Sequence, residues 1–259
     1  MIISSHVPMT GQGAMKLEPN TVHVWTLLLG RQKKAAWSEL PGVLCASERE
    51  RFAKFTRQED QIRFAENRRF LRSTIGRYTG EEPVDVRFGY GHKGKPYLVD
   101  HPWLKFNLSH TLDYAAIAVA RDCHVGVDLE SMRRKVSNLS RLAARKLTTS
   151  EWERIKSSAE STRTALFLRA WTRKEAFIKA TGEGLSRDLK TVEVSLEDSS
   201  KSLLVSLDGS RKKADDWRVY SFNPFPAVLG AIAIKNCDVH TVQLMPCATG
   251  TSLYPTTEC

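Results

Sequence analysis

No apolar run in this 259-residue chain is long enough to cross a bilayer, and the longest candidates, Ala115–Ala120 and Val228–Ile234, read as buried strands. Cysteine is sparse: five residues, an odd number, scattered at Cys45, Cys123, Cys237, Cys247 and Cys259 with no C-x-x-C pair. That usage indicates neither a disulfide framework nor a zinc site, and a reducing cytoplasm is the simplest setting. The first twenty residues lack the basic start and apolar core of a secretory signal. Internal repeats at the residue level and recognised nucleic-acid motifs are also missing. Acidic residues are the scarcer sign, 29 against 39 Lys and Arg, which leaves a net charge of +10. Such a surface attracts polyanions, whether nucleic acid, nucleotide cofactors or acidic proteins, and charge alone does not choose among them.

A hydrophobic content of 41% is enough for a sizeable core. Val22–Leu29 reads as a strand, and Ser47–Tyr78 as one or two basic helices. A strand near Val84–Tyr90 leads into a turn built from Gly91, Gly94 and Pro96, and Tyr114–Arg121 and Cys123–Leu129 read as further strands. Beyond them, Ser137–Lys146 and Ser150–Ser158 read as helices, the latter with Ser150 as N-cap and Glu153 closing a capping box. A long helix is expected from about Thr164 to Thr181, followed by four more strands up to Ile234. The expected class is α+β: two similar halves in a pseudo-twofold arrangement, each a small, mostly antiparallel sheet packed with helices. The halves fall at residues 21–121 and 122–245, with 1–20 a flexible N-terminal segment and 246–259 a loose tail.

Within the long helix, WTRKEAFIKATGEGL (Trp171–Leu185) places a single carboxylate, Glu175, among Arg173, Lys174 and Lys179. Trp171, Glu175 and Lys179 are spaced i, i+4, i+8 and share one side. Alone, this is an ordinary Glu–Lys pair on a solvated face. GVDLE (Gly126–Glu130) adds Asp128 and Glu130 on one strand face, with Val127 and Leu129 turned to the core. Two such acids repel unless a cation sits between them; the plain alternative is a solvent-exposed strand end. Three carboxylates suit a hard divalent ion, and Lys174 and Lys179 suit the phosphates it would grip. Gly94-Lys95-Pro96 is a rigid turn that lifts a lysine beside exposed amides, or a plain surface turn. Ser109 and His110 end the extended stretch FNLSH, both suited to phosphate oxygens, and Arg68, Arg69 and Arg72 offer a further anion contact or, for most of them, a plain solvated basic face.

GKPYL (Gly94–Leu98), FNLSHT (Phe106–Thr111), GVDLE and WTRKEAFIKATGEGL occur in the order and approximate spacing of the 4′-phosphopantetheinyl transferases, and the chain resembles that family. Its length is similar to the large monomeric type that activates polyketide, peptide and fatty-acid synthases. The resemblance spans roughly Ser47–Leu196, and its most specific motif is W-x-x-K-E-A-x-x-K with the following G-x-G-L. It implies transfer of the 4′-phosphopantetheine arm of coenzyme A to a serine of an apo acyl or peptidyl carrier protein. Asp128, Glu130 and Glu175 are implied as ligands of Mg²⁺, with Mn²⁺ an alternative, and Glu175 and Lys179 as the catalytic pair. Coenzyme contacts are implied for Arg51, Arg72, Lys95, Ser109, His110, Lys174 and Lys179. A cytoplasmic monomer that binds neither nucleic acid nor membrane is expected. The rival readings are a basic nucleic-acid-binding protein, resting on the arginine-rich helix, and a catalytically silent carrier binder. A carrier-docking spot is expected on apolar residues around Leu139–Leu147.

Overall fold

A computed structural model describes residues 2–4, 14–29, 40–197, 203–235, 239 and 241–245. Strands β1 (Ile2–Ser4) and β2 (Thr21–Leu28) precede helices α1 (Ala46–Ala53) and α2 (Gln58–Thr79). Strands β3 (Phe88–Tyr90), β4 (Pro96–Leu98), β5 (Leu104–Thr111), β6 (Tyr114–Arg121) and β7 (Val125–Ser131) follow. Helices α3 (Leu139–Lys146), α4 (Thr149–Lys156) and α5 (Glu160–Thr181) lead to β8 (Val192–Val194) and β9 (Leu204–Leu207). A short α6 (Arg211–Ala214), then β10 (Trp217–Phe225), β11 (Val228–Lys235) and β12 (Thr241–Leu244), complete the order. The two long helices both stop at a left-handed glycine, Gly80 at φ 76° and Gly182 at φ 75°, a conformation that costs other residues more.

A five-stranded sheet runs β1-β12-β2-β6-β5 and a three-stranded sheet β10-β11-β7, with two-stranded ribbons β3-β4 and β8-β9. Period-two alternation explains how they stack. Trp25 and Leu27 of β2 with Ile117 and Val119 of β6 face α2, where they meet Phe70, Leu71 and Ile75. Their neighbours Val22, Val24, Ala116 and Ala118 face the other way and pack on Val125, Val127 and Leu129 of β7 and Ile232 of β11. The opposite face of the second sheet, through Ala231 and Ala233, packs on Phe177 and Ala180 of α5. The layers therefore run α2, first sheet, second sheet, α5. The mixed α+β class with small, mostly antiparallel sheets is as expected from the sequence.

The two sheets meet along a side-chain seam. Asn107, Ser109 and Thr111 alternate along β5, and their side-chain oxygens accept from the β7 amides of Val127 (2.9 Å), Leu129 (3.2 Å) and Ser131 (3.4 Å). A strand edge that would otherwise bury unpaired N–H groups is thus satisfied by another strand's side chains.

Several expectations are corrected. The N-terminal segment contributes β1, and Leu17 is buried in the core beneath α2. β12, assigned by sequence to the second half, pairs parallel with both β1 and β2 in the first sheet. The capping box of α4 uses Thr148 and Glu151 rather than Ser150 and Glu153. Cys123 is disulfide-bonded. Residues 246–259, expected as a tail, also lie outside them.

Candidate active site

The second sheet carries its acids on the face opposite its core. Val125, Val127 and Leu129 point at the first sheet, so Gly126, Asp128 and Glu130 point at α5. The glycine lets the helix come close: a Cβ at position 126 would stand 2.1 Å from the carbonyl oxygen of Ala176 and 2.3 Å from the amide nitrogen of Ala180. Because α5 lies directly on β7 there, its polar side at Glu175 and Lys179 meets the strand's acids.

Lys179 Nζ donates to Asp128 Oδ1 at 2.6 Å and to Ser109 Oγ at 2.9 Å. Ser109 in turn donates to Asp128 Oδ1 at 3.0 Å while accepting from Leu129 N. The hydroxyl thereby holds Asp128, Lys179 and β7 together. Asp128 Oδ2 is buried with no hydrogen-bond partner.

Glu130 accepts from Arg134 Nη1 at 2.6 Å and from the side chain of Trp171. Even so its pKa is raised, by burial first and by the neighbouring Asp128 second. The Glu175 pKa is raised for the same two reasons, with Lys179 and Lys146 opposing. Asp128 thus raises the proton affinity of both glutamates, which marks a place short of positive charge.

Among the described residues no three acidic, histidine or cysteine side chains stand as a ready ion cage. Lys179 and Arg134 donate to oxygens of two of the three acids, Asp128 and Glu130. The donor set nevertheless fits a hard divalent cation: all oxygens, electrostatically coupled, one of them buried and unpaired.

A cleft of about 630 Å³ opens beside this cluster, lined by Arg51, Arg63, Phe64 and Arg68 on one side and by Asn107 and His110 on the other. Phe64 carries the Arg51 and Arg68 guanidinium groups over its ring at 5.3 and 5.7 Å. The turn residues Gly94 and Pro96 join this cleft to a smaller cavity of about 210 Å³ that reaches Glu175 and Lys179. Burial, and then the Lys179 charge, lower the His110 pKa, with Asp128 opposing. Arg51 and His110 thus stand where an anion would be met.

Two expected coenzyme contacts face elsewhere. The Arg72 guanidinium, 2% exposed, donates to Glu48 at 2.7 Å and to the carbonyls of Pro83, Val84 and Val86. Lys174 is fully buried, and its three donors go to Glu151 at 2.5 Å and to the carbonyls of Lys146 and Leu189. Its motif position reflects core chemistry. Burial pushes Lys174 down and Glu151 up, and their mutual attraction offsets it. Glu151→Ala would leave a buried ammonium unpaired and is expected to cost about 3–5 kcal/mol in urea unfolding. A loss below about 1 kcal/mol would contradict this assignment.

Lys95 borders the smaller cavity, but its ammonium crosses to the second half and donates to Ala180 O at 2.7 Å and Val125 O at 3.3 Å. Sequence reasoning missed Asn107, Arg63, Arg134 and Lys146. Only the alternation of Asn107 with Ser109 in FNLSHT offered a signal.

An acid-rich strand face under a lysine-bearing helix, opening into a basic cleft, defines a protein built to handle a polyphosphate. Residues 124–231 match the 4′-phosphopantetheinyl transferase superfamily model, and residues 31–122 match the model for the N-terminal part of 4′-phosphopantetheinyl transferase. The 4′-phosphopantetheinyl transferase HetI of Nostoc sp. is 33% identical over 223 residues, 85% of this chain and 90% of that protein. The 4′-phosphopantetheinyl transferase of Bacillus subtilis is 29% identical, covering 63% of this chain and 71% of its own length. The human L-aminoadipate-semialdehyde dehydrogenase-phosphopantetheinyl transferase is also 29% identical, with 70% and 64% covered. The chain belongs to the 4′-phosphopantetheinyl transferase superfamily. Among the described residues, no helix is long and apolar enough to cross a membrane.

Proposed function

We propose that this enzyme transfers the 4′-phosphopantetheine arm of coenzyme A to a serine hydroxyl of apo acyl or peptidyl carrier proteins and releases adenosine 3′,5′-bisphosphate. The observation that carries the reading is the convergence of Lys179 and Ser109 on Asp128, beside a basic cleft sized for a nucleotide.

Arg51 and His110, with Arg63 and Arg68, would meet the 3′-phosphate in the cleft. The turn at Gly94–Pro96 would form its adenosine wall, with Lys95 supplying backbone there while its ammonium holds α5. Asp128, Glu130 and Glu175 would hold Mg²⁺, or Mn²⁺ with the same ligand chemistry, which supplies positive charge to the diphosphate when bound. Lys179 stands beside these acids and holds its charge against the oxygens that gain negative charge in the transition state. The carrier serine oxygen bonds to the pantetheine-side phosphorus as that atom's bond to the bridging oxygen breaks. The serine proton passes to Glu175, whose raised pKa suits it as acceptor. The bridging oxygen leaves on the bisphosphate.

The expected apolar docking spot at Leu139–Leu147 presents little apolar surface, with only Leu139 and Leu142 half-buried. Ala143 and Leu147 are buried, and Leu139 and Leu142 pack on the same core. What α3 offers solvent is basic, Arg141 and Arg145, a match for acidic carriers in keeping with the net charge of +10. A monomer is the natural working form, because the cleft borders α2, the β3–β4 turn and β5 of one chain.

Incubation with coenzyme A, Mg²⁺ and several apo carrier proteins, followed by intact-mass measurement, tests the reading. A gain of one phosphopantetheine arm on the carrier is expected. Carrier binding without any mass gain would favour the silent-binder reading, and retention of nucleic acid without either would favour the nucleic-acid reading.

A further inference from the structure

A third cavity, of about 360 Å³, lies between the turn after β3, the start of β5 and the α5 C-terminus. It shares only Pro96 with the basic cleft, and Lys93, Lys95, Pro96 and Gly182 also line the smaller cavity beside Glu175. Its apolar walls include Leu98, Leu104 and Phe106, all buried. Five basic residues line it, His92, Lys93, Lys95, Lys105 and His124, and no Asp or Glu appears among its described lining residues. A pocket of this volume, apolar with a few convergent polar groups, is the usual form of a small-molecule site.

We propose that this cavity is a second ligand site, separate from the coenzyme cleft, that takes a small monoanion with a flat apolar body, such as an aromatic carboxylate. Leu98, Leu104 and Phe106 would cover the body. Lys105 and His124 would take the anionic end, since neither side chain has a hydrogen-bond or ion-pair partner among the described residues. Lys95, Lys105 and His124 work against one another as they stand. Burial and then the Lys105 charge bring the Lys95 pKa down to about 8, and burial followed by both lysines lowers that of His124. An anion relieves that repulsion, and a neutral ligand of the same shape does not. The proposal stands on the cavity alone and holds whether or not the transfer reaction does.

Titration calorimetry with 2-naphthoate as the probe tests it, using the full chain with and without saturating adenosine 3′,5′-bisphosphate. Saturable binding of one equivalent that the bisphosphate leaves in place is expected. Lys105→Ala and His124→Ala should each weaken it about tenfold, the scale of one charge-assisted contact, and 2-naphthamide should bind at least about tenfold more weakly than the acid. Lys105 and His124 lie outside the transfer site, so both variants should still label a carrier at the wild-type rate, which shows them folded. The proposal is overturned by absence of saturable binding, by displacement with the bisphosphate, or by equal affinity for the amide. It is also overturned if both folded variants bind like the wild type.

Discussion

Gly126→Ala is expected to disable the enzyme without touching any charged group. The added Cβ would fall within 3 Å of three backbone atoms of α5, at Ala176 and Ala180, none of which can swing aside as a side-chain tip could. Relief requires moving the helix off β7. Overpacking of this kind costs about 1–3 kcal/mol in stability. The larger effect is on transfer, since Lys179 and Glu175 ride on the displaced segment, and a 1 Å misplacement costs on the order of 10²-fold in rate. Thermal unfolding and carrier labelling measured on the same preparation separate the two losses. A variant with wild-type rate and melting temperature would show that the close approach of α5 to β7 does not position the site.

The second large effect is expected at the acids themselves. Glu175→Gln keeps the shape of the side chain and removes its charge and its capacity to take a proton. Glu175 is half-buried and has a raised pKa from burial and Asp128, so replacing it should not destabilise the fold. The transfer rate should fall at least about 10²-fold, the range of a lost general base or cation ligand. Asp128→Asn should do the same for a second reason: its Oδ1 is where Lys179 and Ser109 meet. Undiminished turnover in Glu175→Gln would remove that residue from both roles, and the proton would then need another acceptor.

How much of this was legible beforehand depended on the kind of information each feature carries. The β7 acids could be read because strand parity is local: once Val127 and Leu129 are assigned to the core, Asp128 and Glu130 must face the other way. The left-handed stop of α5 at Gly182 is local too. Lys174 and Arg72 were misjudged because a basic residue inside a motif looks the same whether it meets a phosphate or a buried glutamate. Their partners, Glu151 and Glu48, lie 23 and 24 residues away in sequence and carry no pattern of their own. β12 was missed because four residues with no alternating signature pair with β2 only after the chain has returned from the second sheet. The role of Gly126 depends on a helix some fifty residues downstream.

The central claim, that the strand acids and the helix acid share one divalent ion with the coenzyme diphosphate, is met most directly by electron paramagnetic resonance of Mn²⁺ titrated into the coenzyme A-loaded protein. One bound ion per chain is expected for the wild type, weakened at least about tenfold in both Asp128→Asn and Glu175→Gln. Unchanged Mn²⁺ affinity in the two variants would contradict the claim.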